Sequence, residues 1–71
     1  MTEMPKFDAK VWTWVETQFT NGQGYIRVSE IARHFDVSRG VIETRMRRFK
    51  AMEWVVKTFG GPYMPGPKFP S

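Results

Sequence analysis

The chain has no cysteine and only one histidine, His34. Disulfides and thiolate metal sites are therefore excluded, and a single imidazole cannot build a zinc site of any familiar ligand spacing. No apolar run approaches the ~18 residues that a membrane span needs. The opening residues, Met1-Thr2-Glu3-Met4-Pro5, lack the basic-then-apolar layout of a signal peptide. A cysteine-free chain without a leader is expected to be cytoplasmic. Also missing are a nucleophile–base pair, a phosphate-cradling glycine loop and a carboxylate cluster, so neither an enzyme nor a cofactor is expected. The 71 residues make one small domain, and a chain of that size buries only about 60% of its unfolded surface. Without staples, tight packing or self-association must hold it together. Packing material is plentiful, with three Trp, six Phe and two Tyr. With no second domain to hold one, a small-molecule effector is not expected.

The formal charge is +4, and it is not spread evenly. Residues 27–50 carry Arg27, Arg33, Arg39, Arg45, Arg47, Arg48 and Lys50 against Glu30, Asp36 and Glu43, which accounts for the whole excess. All six arginines lie there, while four of the five lysines lie outside it. Guanidinium groups suit bidentate contacts to phosphates and guanine edges better than ammonium groups do. The competing reading is a solvated helix surface.

Residues 7–19 show helical spacing, with Phe7, Val11, Trp14, Val15 and Phe19 on one stripe and Trp12 at its margin. Asp8 suits the first turn, where the helix dipole favours an acid. Thr20 to Gly24 ends that helix, because Asn and Gly tolerate a left-handed cap. Tyr25-Ile26-Arg27-Val28 reads as a short strand. Ser29 is the expected N-cap of a brief helix through Phe35, with Ile31, Ala32 and Phe35 inward. Ser38 is the expected N-cap of a longer helix reaching about Met52, buried through Val41, Ile42, Met46 and Phe49. Residues 53–59 read as a strand and Gly60-Gly61-Pro62 as a turn. Tyr63-Met64 begins a returning strand that Pro62 and Pro65 keep short and at an edge. Residues 1–6 are expected to be flexible, residues 7–64 to form the domain, and residues 65–71 to be a disordered or extended Pro-rich tail.

The order helix, strand, short helix, tight turn, longer helix, hairpin is that of a winged helix-turn-helix: mainly α, three helices with a two- to three-stranded wing. Residues 29–42, Ser-Glu-Ile-Ala-Arg-His-Phe-Asp-Val-Ser-Arg-Gly-Val-Ile, resemble the helix-turn-helix of bacterial transcriptional regulators. Small Ala32 lets the second helix approach, Phe35 and Val37 fill the gap between helices, and Ile42 closes the core. Residues 46–55 resemble the end of the recognition helix and start of the wing in multiple-antibiotic-resistance-type and LysR-type regulators. The likeness covers roughly residues 25–59. It departs at Asp36 and Glu53, where that pattern usually has glycine, and both departures bear on helix and wing angles.

A helical wheel from Ser38 places Ile42, Met46 and Phe49 together and turns Gly40, Glu43, Thr44 and Arg47 away from them. In a docked helix-turn-helix the N-terminal residues of the recognition helix meet base edges. Arg39 suits a guanine O6/N7 edge, Glu43 a cytosine amino group and Thr44 a thymine methyl, with Gly40 allowing close approach. Ser38, Arg47, Arg48 and Lys50 are candidates for phosphates, and Arg27 and Lys57 are weaker ones. Lys68 is a further candidate if the tail acts as an arm. Each has a plainer alternative. Glu43 and Arg47 are spaced for a helix-stabilising pair worth ~0.3–0.5 kcal/mol, Arg45 for local packing and pairing, and His34 for the surface.

The expected function is sequence-specific binding of double-stranded DNA by a small transcriptional regulator, with the helix over 39–52 in the major groove. A homodimer is expected, through Trp12, Tyr63 or Phe69, because one module makes few base contacts. The alternatives are a winged-helix protein-interaction module and a non-specific or architectural nucleic-acid binder.

Overall fold

A computed structural model describes residues 4–69. Its elements are α1 (Lys6–Thr20), α2 (Val28–Phe35), α3 (Arg39–Ala51), β1 (Val55–Lys57) and β2 (Tyr63–Pro65). Three helices followed by a two-stranded antiparallel hairpin give a mainly α fold with the layout of a winged helix. The hairpin register pairs Val55 with Pro65, Val56 with Met64 and Lys57 with Tyr63. The third strand expected at residues 25–28 shrinks to one bridge, Ile26 to Tyr63, made by reciprocal backbone bonds of 2.9 and 2.7 Å. Val28 already belongs to α2, so the chain leaves the sheet after a single pair.

All three helices stop in the same way. After α1, the Gly22 amide donates to the Phe19 carbonyl and the Gln23 amide to that of Gln18. After α2, Asp36 donates to Arg33 and Val37 to Ala32; after α3, Glu53 donates to Lys50 and Trp54 to Phe49. These paired bonds form a Schellman motif, which needs one left-handed residue. Gly22 (φ 98°), Asp36 (φ 57°) and Glu53 (φ 63°) supply it. The two departures from the helix-turn-helix pattern therefore keep the backbone that glycine would adopt, at some conformational cost.

Ser38 caps α3, its hydroxyl accepting from the Val41 amide at 3.4 Å. Ser29 does not cap α2. That helix starts one residue earlier than expected, on an extended Arg27 whose carbonyl accepts from Glu30 and Ile31. Local sequence favoured Ser29, and the Ile26 bridge to the hairpin overrides it by setting where the extended segment ends.

The core takes Val11 and Val15 from α1, Ile31 and Ala32 from α2, and Ile42, Met46 and Phe49 from α3, with Ile26, Val55 and Tyr63 closing it. Val11, Val15, Ile26, Ile31, Ile42, Phe49 and Val55 have no exposed surface, and each such burial stabilises by about 1.5–3 kcal/mol. Phe35 and Val37 pack against the core, while Val41 is only half-buried.

Trp12, at the margin of the α1 stripe, belongs to the core and lies deeper than its edge. It is 8% exposed, with ring centroids 4.8 Å from Trp54, 5.1 Å from Phe49 and 5.8 Å from Phe69. Phe69 also meets Phe19 at 5.5 Å. The expected loose tail is thus corrected as far as Phe69. Pro65 ends β2, the Gly66 amide donates to the Trp54 carbonyl and the Lys68 amide to that of Glu53. A Cβ on Gly66 would collide with the Glu53 carbonyl oxygen and lie 2.9 Å from two further backbone atoms. Glycine is what lets the chain turn back over the aromatic cluster. At the other end, Pro5 caps α1 and Met4 packs on the core. Residues 1–3, 70 and 71, part of the expected flexible ends, lie outside the described residues.

Candidate nucleic-acid interface

The Ser38 cap and the Ile42, Met46, Phe49 seam rotate α3 so that Arg39, Gly40, Thr44 and Arg47 are exposed. Beside that face runs a cleft of about 200 Å³, walled by α3, the start of α2 and the turn of the hairpin. Arg39, Glu43 and Arg47 line it from α3, Arg27 from the start of α2 and Lys57 from β1. Four cations thus surround one acid. Arg27 and Lys57, weaker candidates on sequence, stand with the strongest ones because the Ile26–Tyr63 bridge draws α2 and the hairpin together.

Ser29, Gly60, Gly61 and Tyr63 also line the cleft, and none of them was a sequence candidate. The Gly-Gly turn was a visible signal; its position opposite α3 was not. Burial pushes the Tyr63 phenol above its usual 10.0, with Glu43 adding to the shift and Arg47 opposing it. These three side chains therefore sense one another across the cleft floor. Among the described residues Glu43 forms no ion pair, so the expected bond to Arg47 is absent.

Five of the eleven sequence candidates meet in this cleft. Ser38, Gly40 and Thr44 lie outside its walls at the exposed beginning of α3, where a Cβ on Gly40 would meet nothing within 4 Å. The Thr44 hydroxyl donates to the Gly40 carbonyl at 3.0 Å, so that hydroxyl proton is already engaged within the helix. Lys50 is exposed in the last turn.

Arg48 faces another way. It donates to Asp8 Oδ2 at 2.6 Å, and Arg45 Nε donates to Oδ1 at 3.1 Å. Asp8 is only 2% exposed, so the two guanidinium groups balance a buried carboxylate. Arg45 also lies 5.1 Å over the Phe7 ring and donates to the Val41 carbonyl. Asp8 is thus a buried anchor between α1 and α3, beyond its expected place in the helix dipole. Lys68 pairs with Glu53 at 3.1 Å and does not extend as an arm. His34 is exposed and stacks on Trp14, their ring centroids 4.7 Å apart.

The aromatic residues expected to be free for a second copy are engaged within the protomer: Trp12 and Tyr63 are buried and Phe69 packs on Trp12 and Phe19. No group of three or more His, Cys, Asp or Glu side chains is placed to hold a metal among the described residues. No described helix is long and apolar enough to cross a membrane. No family model matches the chain, and neither a curated protein nor a solved structure matches it.

Proposed function

We propose that this chain is a sequence-specific double-stranded DNA-binding protein of the winged helix-turn-helix kind, acting as a small transcriptional regulator. The observation that carries the reading is the cleft in which Arg27, Arg39, Arg47 and Lys57 surround Glu43. Four clustered cations call for a polyanion, and a sugar-phosphate strand lying between α3 and the hairpin neutralises them and releases counterions. With that strand in the cleft, α3 occupies the major groove. Arg39 then reads a guanine edge, Glu43 a cytosine amino group and the Thr44 methyl a thymine, while Arg27, Arg47 and Lys57 hold phosphates. A second copy on a two-fold site would supply the base contacts that one short helix lacks.

The test is a selection from random duplexes, followed by binding measurements at two salt concentrations against competitor DNA. Arg39→Ala and Arg47→Ala are expected to lose affinity with folding intact. Arg33→Ala, exposed on α2 outside the cleft, is expected to leave affinity unchanged. Failure of the wild-type chain to bind any random duplex at low salt would overturn the reading.

A further inference from the structure

The hairpin turn carries a side chain that the cleft does not use. Phe59 is fully exposed, at 108% of its reference area, whereas every other phenylalanine and tryptophan of the domain is buried in or packed against the core. The turn holding it is closed on itself. The Thr58 amide and hydroxyl both donate to the Pro62 carbonyl, at 2.8 and 2.7 Å, and the Gly61 amide donates to the Thr58 carbonyl at 3.1 Å. Gly60 and Gly61 hold φ values of 104° and 112°, a conformation that side-chain-bearing residues rarely adopt. Phe59 is therefore presented by a built turn.

Its surroundings indicate what it meets. Lys57, Gly60 and Gly61 line the cationic cleft on one side of the hairpin. Phe59 lines a shallow groove of mixed polarity on the other side, with Tyr25, Arg27, Thr58, Pro62 and Met64. Arg27 borders both, and Tyr25 beside it is 59% exposed. An apolar tip flanked by cations on a compact turn matches the chemistry of a nucleic acid, whose anionic strands border flat apolar bases.

We propose that Phe59 is an aromatic wedge, delivered by the hairpin turn into the minor groove of bound duplex DNA and inserted against a base step. The inference rests on the DNA-binding reading above. A phosphate strand in the cleft separates the major groove, on the α3 side, from the minor groove, on the hairpin side. The turn then faces the minor groove, where apolar side chains unstack base steps and bend the duplex. Arg27 and Lys57 secure the adjoining phosphates while the ring displaces one stacking contact and substitutes its own.

The probe is a duplex recovered from the random selection, carrying 2-aminopurine at successive positions across and beside the α3 footprint. Binding of the full chain is expected to raise fluorescence at one step next to that footprint. Phe59→Ala is expected to abolish the rise and weaken binding by about tenfold, the scale of one base–aromatic contact. Because no phosphate contact is removed, the salt slope stays as in the wild type. Phe59→Trp restores both signals. Thermal unfolding of each variant is expected to match the wild type, since the side chain packs on so little.

Duplex binding without any fluorescence rise, or a rise that survives in Phe59→Ala, overturns the wedge while leaving the DNA-binding reading intact. Tighter, Phe59-dependent binding to one strand alone assigns the ring to single-strand stacking and overturns the wedge too. A drop in the sedimentation mass of the free protein in Phe59→Ala assigns the ring to contact between copies, which equally removes the wedge. Absence of any duplex binding overturns both readings together.

Discussion

Asp8 and Arg48 lie forty positions apart in sequence and meet at 2.6 Å, the carboxylate almost wholly buried and the guanidinium about half exposed. With Arg45 on the other carboxylate oxygen, this contact fixes the start of α1 to the last two turns of α3. Removing one partner of a buried pair strands the other, at about 3–5 kcal/mol when both are enclosed. Here both arginines retain access to water, so Asp8→Asn is expected to cost less, about 2 kcal/mol. Urea unfolding followed by tryptophan fluorescence measures it.

Arg47 and Arg48 are adjacent and are expected to behave differently. Arg47→Ala should reduce the salt dependence of duplex binding by about one counterion, with unfolding unchanged. Arg48→Ala should lower stability by about 1 kcal/mol through loss of a charge-assisted bond and leave the salt slope nearly unaltered. Equal salt slopes for the two variants would contradict the placement of Arg47 at the phosphate.

Two glycines give opposite outcomes. Gly66→Ala forces a Cβ against the backbone of residues 53–55 and should destabilise by about 1–3 kcal/mol. The loss should appear in the near-ultraviolet circular dichroism of the Trp12 and Trp54 cluster. Gly40→Ala meets open space inside a helix and should stabilise by about 0.5–1 kcal/mol. Under the proposed docking it should nevertheless weaken duplex binding, because the added methyl would stand between α3 and the groove.

Glu53 occupies a left-handed position where its side chain gains little. Its exposed pair with Lys68 is the offsetting contact, and such pairs contribute about 0–1 kcal/mol. Glu53→Gly is expected to raise stability by about 0.5–1 kcal/mol, and Asp36→Gly by less, since Asp tolerates this conformation better. Thermal midpoints of both variants check the order.

The Tyr63 phenol sets an alkaline limit. Its pKa is raised above 10.0 in the folded chain by burial first, then by Glu43, against Arg47. The folded state therefore keeps a proton that the unfolded chain has released. The associated stability is full below the unfolded value and is lost as pH rises through the folded one. Stability of the wild type should fall as pH climbs past about 10, and the fall should be shallower in Tyr63→Phe, as parallel denaturant titrations would show.

Much of the architecture is legible in local signals. The apolar spacing marks α1 and α3, Ser38 marks the start of α3, and the Gly-Gly-Pro segment marks the turn. Two weaker points come from competition between local preference and packing. Ser29 loses the cap of α2 to Arg27 because the Ile26–Tyr63 bridge sets the boundary. Trp12 looks marginal on a wheel of α1 alone and becomes central once Trp54 and Phe69 cover it.

By itself, the sequence determined that arginine is concentrated in residues 27–50, that three amphipathic helices precede a short hairpin, and that no disulfide can staple them. Those properties follow from composition, from helical periodicity and from capping chemistry within a few residues. Only the tertiary structure decided which cations share a cleft, which are committed to Asp8, and how residues 65–69 close the core. The physical reason is that charge pairing and close packing depend on distances between segments tens of residues apart. Neighbouring arginines on one helix turn acquire different roles because a helix rotates each side chain by about 100°.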